Sequence, residues 1–84
     1  MSGTATILIV EDNSVTRKML RVTLEAEGYG VVEAPDARVA LAAARRRMPE
    51  LVLQDLILPD ADGFELTRQL RALPGGDEVP IVAL

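Results

Sequence analysis

The chain has 84 residues, so it holds one small domain at most, and at this size folding buries only roughly 60–65% of the surface that the unfolded chain exposes. It contains no cysteine and no histidine, which excludes disulfides, thiolate metal sites and any Ser-His or Cys-His catalytic pair. A net charge of −4 argues against a nucleic-acid-binding surface, and 49% hydrophobic residues with only 2% aromatic point to an aliphatic core.

Residues 1–6 show no charged-then-apolar leader pattern, and no apolar run approaches the roughly 20 residues that span a bilayer. The expectation is a cytoplasmic protein without a membrane segment. Ile7-Leu8-Ile9-Val10 is apolar on both faces and ends in Glu11-Asp12, as a central parallel strand would. Asp12 or Asn13 can cap a following helix that runs to about Glu27. Thr16, Met19, Leu20, Thr23 and Leu24 recur at helical spacing and are the expected core-facing stripe. Gly28 stands where a left-handed C-cap is expected.

A second strand is centred on Val31-Val32, and Pro35-Asp36 opens an alanine-rich helix that ends in Arg45-Arg46-Arg47 before Pro49. Leu51-Val52-Leu53 forms a third strand closed by Gln54-Asp55. A third helix after Pro59 and Gly63 places Leu66, Leu70 and Leu73 on one face, and Pro74-Gly75-Gly76 breaks it. Val79 to Leu84 starts a fourth strand. Strands alternating with helices imply a doubly wound parallel α/β sheet with right-handed crossovers.

Ligands of such sheets bind beyond the carboxyl ends of the strands. Two strands end in acids there, the first in Glu11-Asp12 and the third in Asp55. Taken singly, each acid reads as a solvated loop or a helix cap. If the two strands are neighbours, three carboxylates converge, and a hard divalent cation relieves their repulsion. Mg²⁺ suits such an all-oxygen site.

The run Asp55-Leu56-Ile57-Leu58-Pro59-Asp60-Ala61-Asp62-Gly63, with Ile9-Val10-Glu11-Asp12-Asn13, resembles the receiver domains of two-component response regulators. Those domains carry an acidic pair after the first strand and Asp-x-x-x-Pro-x-x-(Asp/Asn)-Gly after the third. The resemblance covers essentially the whole chain. It implies a flavodoxin-like fold with strand order 2-1-3-4, truncated after strand four, so that residues 1–84 are a truncated receiver domain. It implies a signalling switch rather than an enzyme, with Asp55 as the phosphoacceptor from a histidine kinase or phosphotransfer protein. Asp12, Asp55 and the Ile57 backbone carbonyl would hold Mg²⁺, with Glu11 reaching it through water. Pro59 and Gly63 would shape the loop.

The family's Ser/Thr and lysine on strands four and five would fall after Leu84, and the chain's one lysine, Lys18, lies in the first helix. That keeps a second reading open, a pseudo-receiver or fragment used for protein contact alone. A strand at Ile81–Leu84 without a fifth beside it would expose an apolar edge, and self-association through that edge is expected. Val15 and Val22, off the core stripe and flanking the acid edge, are expected at the kinase contact. Asp60-Ala61-Asp62-Gly63 fails as an EF-hand loop, since Leu58 and Gln69 stand at ligand positions. A dehalogenase-type phosphohydrolase would need Asp-x-Asp after strand one, and a flavin-binding module a Ser/Thr/Gly-rich loop there. Glu11-Asp12-Asn13-Ser14 offers neither. Gln54, polar beside the acceptor, is unexplained by the pattern.

Overall fold

The computed structural model describes residues 4–84, so the first part of the N-terminal stretch read above lies outside the described residues. Chain order is β1 (Thr6–Val10), α1 (Ser14–Ala26), β2 (Gly30–Ala34), α2 (Ala37–Arg46), β3 (Leu51–Gln54), α3 (Gly63–Arg71) and β4 (Ile81–Ala83). The four strands form one parallel sheet in the order β2-β1-β3-β4, the flavodoxin-like order expected from the sequence.

β1 is paired along both edges, and Ile7 to Val10 are at most 3% exposed. Leu8 and Val10 enter the main core with Val52 of β3, Ala40 and Leu41 of α2, and Leu66 of α3. Alternation along the strand turns Ile7 and Ile9 to the other face, and α1 packs against β1 and β2. Alanines on α2 let it lie close to the sheet: Ala37, Ala40 and Ala44 are all buried. On α3, Leu66 and Leu70 are buried as expected, and Leu73 packs on the core from just beyond the last turn.

Local signals placed most boundaries. Asn13 caps α1 by accepting from the Thr16 N–H at 2.9 Å, Asp36 caps α2 from Val39, and Asp62 caps α3 from Glu65. Gly28 has φ +95°, the left-handed turn that ends α1.

The core stripe of α1 needs correction. Thr16, Met19 and Thr23 are exposed, and the side turned to the sheet carries Arg17, Leu20, Arg21 and Leu24, none of them fully buried. The cause lies on β2. Arg17 and Arg21 pair with Glu33 at 3.0 and 2.8 Å, which favours the orientation of α1 that leaves Met19 outward. The fourth strand is also shorter than expected, and Val82 is 49% exposed because β4 pairs on one edge only among the described residues.

A candidate divalent-cation site at the strand tips

The register of the sheet builds the site. Val10 of β1 lies beside Gln54 of β3, so the next residue of each strand, Glu11 and Asp55, emerge side by side at the carboxyl edge. Two backbone bonds extend the pairing past the strand ends, from Asp55 N–H to the Val10 carbonyl at 2.9 Å and from Glu11 N–H to the Ala34 carbonyl at 3.0 Å. Glu11, Asp12 and Asp55 each contribute a carboxylate oxygen to a cluster whose atoms all lie within 4.8 Å of one another.

The three acids differ in setting. Glu11 is buried, Asp55 is half-buried and Asp12 is exposed, so the cluster opens to solvent on the Asp12 side. A Glu11 oxygen accepts from the Asn13 N–H at 3.0 Å, and Oδ1 of Asp55 accepts from the Ile57 N–H at 3.2 Å. Both carboxylates are therefore held in rotation by their own loops. All-oxygen donors of like charge, this close and open on one side, match what a hard divalent cation requires.

The loop after Asp55 doubles back on itself. Ile57 bridges to Asp62, Leu58 N–H bonds the Ala61 carbonyl at 3.2 Å, and Gly63 N–H bonds the Leu56 carbonyl at 2.7 Å. Leu58 is buried and pins the loop to the core, while Ile57 is 80% exposed. Gly63 permits the return path: a Cβ there would sit 2.7 Å from the Leu56 Cα and 3.0 Å from the Asp55 carbonyl oxygen. Pro59, exposed, lies at the tip.

Residues 7–84 match the profile of the response regulator receiver domain. The chain belongs to this family. Among curated relatives, this receiver domain is 45% identical over 78 residues to an uncharacterized 14.6 kDa protein in the sodA1 3′ region of Leptolyngbya boryana, covering 93% of this chain and 60% of that protein. It is 42% identical to the KDP operon transcriptional regulatory protein KdpE of Escherichia coli K12, covering 93% of this chain and 33% of KdpE. Among solved structures it superposes with a TM-score of 0.90 on the receiver domain of the sensor histidine kinase PA1611 of Pseudomonas aeruginosa PAO1, at 37% identity, covering 96% of this chain and 66% of that one. That structure holds a magnesium ion coordinated in its active-site cleft. The chemotaxis response regulator CheY4 of Vibrio cholerae gives 0.93 at 32% identity, covering 96% of this chain and 68% of that one. No helix among the described residues is long and apolar enough to cross a membrane.

Three residues that support the receiver site were missed as supports in the sequence. Arg17 donates from one guanidinium nitrogen to the Glu11 carbonyl at 2.8 Å while its Nε pairs with Glu33, so it ties the acid turn to β2. Asp60 reaches from the loop after Asp55 to α2 and accepts from the N–H groups of Ala37 at 2.9 Å and Arg38 at 3.0 Å. The Ala37 N–H, then that of Arg38, hold its carboxyl below the ordinary carboxylate range. An aspartate one residue past a loop proline was the available signal, but its target, the start of α2, is 23 residues away. Gln54 is the third. Its side chain is buried, and Nε2 donates to the Gly63 carbonyl at 2.8 Å and to Thr67 Oγ1 at 2.9 Å. Its Oε1 is buried without a donor among the described residues, a cost of about 1–3 kcal/mol for a polar group of this kind.

Val15 and Val22 are 67% and 51% exposed on the outer side of α1, and Met19, at 65%, lies between them. The structure thus leaves an apolar strip, Val15-Met19-Val22, at helical spacing and beginning two residues after the α1 cap.

Proposed function

We propose that this receiver domain accepts a phosphoryl group on Asp55 from a histidine kinase or phosphotransfer protein, in a reaction that depends on Mg²⁺, and so acts as a conformational switch. The observation that supports this most is the convergence of the Glu11, Asp12 and Asp55 carboxylate oxygens within 4.8 Å, at the carboxyl tips of neighbouring parallel strands. The magnesium ion in the cleft of the PA1611 receiver domain fits the same chemistry.

Asp55 is the nucleophile. A carboxylate oxygen attacks phosphorus in line, the phosphorus–nitrogen bond of the donor's phosphohistidine breaks, and its electron pair stays on the imidazole nitrogen, which takes up a proton. The product is an acyl phosphate. Asp12, Asp55 and the Ile57 backbone carbonyl would hold the cation, with Glu11 reaching it through water. When bound, the cation supplies charge that offsets the phosphoryl oxygens and orients them. The Ile57 N–H fixes the Asp55 carboxylate in rotation, and Arg17 holds the backbone that presents Asp12. Pro59 and Gly63 shape the loop, Gly63 by letting it return against Leu56.

The donor is assigned to the outer strip of α1, with Val15 and Val22 in the contact, and the setting to the cytoplasm. In the 84-residue chain, a second copy is assigned to the free edge of β4, where Val82 and Leu84 are about half exposed at 49% and 50%.

Acetyl phosphate with Mg²⁺, followed by intact-protein mass, tests the chemistry. A gain of about 80 Da, the phosphoryl increment, that disappears in Asp55→Asn is the expected result. No gain in the unaltered chain favours a pseudo-receiver that serves protein contact alone.

A further inference from the structure

We infer that Gln54 is a positioning residue for the acceptor loop: its side-chain amide clasps the start of α3 and thereby holds the loop that carries Asp55 and Ile57 in its closed, cation-ready form. The inference rests on the receiver reading above, but its first readout needs no cation.

Gln54 and Gly63 are the two ends of the loop. Gln54 is the last residue of β3 and directly precedes Asp55, while Gly63 is the first residue of α3. Backbone pairing closes the loop through its middle and through the Gly63 N–H to Leu56 bond. The amide of Gln54 adds a bond of another kind. It fastens the fixed strand to the helix on which the loop lands, through both the Gly63 carbonyl and the Thr67 hydroxyl. Thr67 in turn donates to the same Gly63 carbonyl at 2.8 Å, so three groups close one small network. An undistorted first turn of α3 keeps Gly63 against Leu56, and Leu56 is the residue between Asp55 and Ile57.

The orphaned Oε1 separates this role from a packing role. Gln54 lies on the same face of β3 as Val52, against α3, where an aliphatic side chain would fill the space without burying an unpartnered acceptor. A residue retained for stability alone would be served at least as well by leucine. The two roles therefore predict opposite behaviour for Gln54→Leu. A packing role predicts that fold stability and loop order change together. A clasp predicts that the loop loosens and the cation binds more weakly while the midpoint of thermal unfolding holds or rises.

The experiment is amide hydrogen exchange together with Mg²⁺ titration by calorimetry on the full chain, for the unaltered protein, Gln54→Leu and Thr67→Val. The clasp predicts at least threefold faster exchange at Leu58 and Gly63 in Gln54→Leu, with exchange in β1 and β3 unchanged. It predicts Mg²⁺ binding about tenfold weaker, the low end of what loss of an outer-shell support costs. Thr67→Val, which leaves the bond to Gly63, is expected to show the same loop change at smaller size. Unchanged loop exchange in both variants overturns the inference, and so does faster exchange spread evenly over the sheet. Should the unaltered chain bind no Mg²⁺, the receiver reading fails, and the exchange data alone still decide the clasp.

Discussion

The two sides of the sheet are built to different standards. On one side α2 and α3 bury Ala37, Ala40, Leu41, Ala44, Leu66 and Leu70 against β1 and β3. On the other, α1 buries no residue fully, its half-buried side carries Leu20 and Leu24, and Arg17 and Arg21 pair with Glu33 of β2. The loop after Asp55 is anchored on the well-packed side: Leu58 sits in that core, Asp60 is bonded to α2, and Gln54 is bonded to α3. Asp12, by contrast, opens the α1 side, where its backbone is steadied by Arg17. The lesson is a contrast between a well-packed half that fixes Asp55 and a looser half that leaves Asp12 and an apolar strip exposed.

Truncating the well-packed side should cost most. Leu66→Ala removes a side chain that is 0% exposed, and urea unfolding is expected to show a loss of about 2–5 kcal/mol. Gly63→Ala comes next, because its Cβ would press on Leu56, with about 1–3 kcal/mol lost and weaker Mg²⁺ binding in the same titration. A smaller effect follows acid. Asp60 titrates below its ordinary value of 3.8, so its bonds to the start of α2 are intact above that pH and are lost as pH falls through the lower folded value. Exchange at Ala37 and Arg38 should therefore quicken in that acid range, and in Asp60→Asn it should lose this pH dependence.

The smallest stability effects belong to the outer strip of α1. Met19→Ala is expected to shift unfolding by no more than about 0.5 kcal/mol. Val15→Glu should likewise leave unfolding unchanged, yet slow phosphotransfer from a histidine kinase. Wild-type transfer in that variant would remove α1 from the contact. Sedimentation of the 84-residue chain sharpens the same contrast at the free edge of β4, where concentration-dependent association is expected and a strict monomer would contradict it.

The sequence was most legible where a signal is local. Abrupt acids after short aliphatic runs marked the ends of β1 and β3, Asp12 or Asn13 marked the start of α1, Asp36 that of α2, and Gly28 marked the left-handed stop. These depend on neighbours within a few residues. The convergence of the acids was legible in part: alternation of elements implies a parallel sheet, the resemblance to receiver domains implies the order that makes β1 and β3 neighbours, and the register that sets Glu11 beside Asp55 comes from the structure. What escaped depends on partners far along the chain. The roll of α1 is set by Glu33 on β2, and the roles of Asp60 and Gln54 by the starts of α2 and α3. Thr16, Met19 and Thr23 fit a helical period as well as Arg17 and Arg21 do, and hydropathy favours them. The acid on the neighbouring strand, Glu33, is what the arginines meet there.

Whether Asp12 and Asp55 share one divalent ion is tested most directly with Mn²⁺ in place of Mg²⁺. In an NMR titration with substoichiometric Mn²⁺, paramagnetic broadening should appear first at the amides of Glu11, Asp12, Asp55 and Ile57, and vanish in Asp12→Asn. Broadening centred on Asp60 and Asp62 instead, or spread over the acidic surface without a focus, would contradict a shared ion.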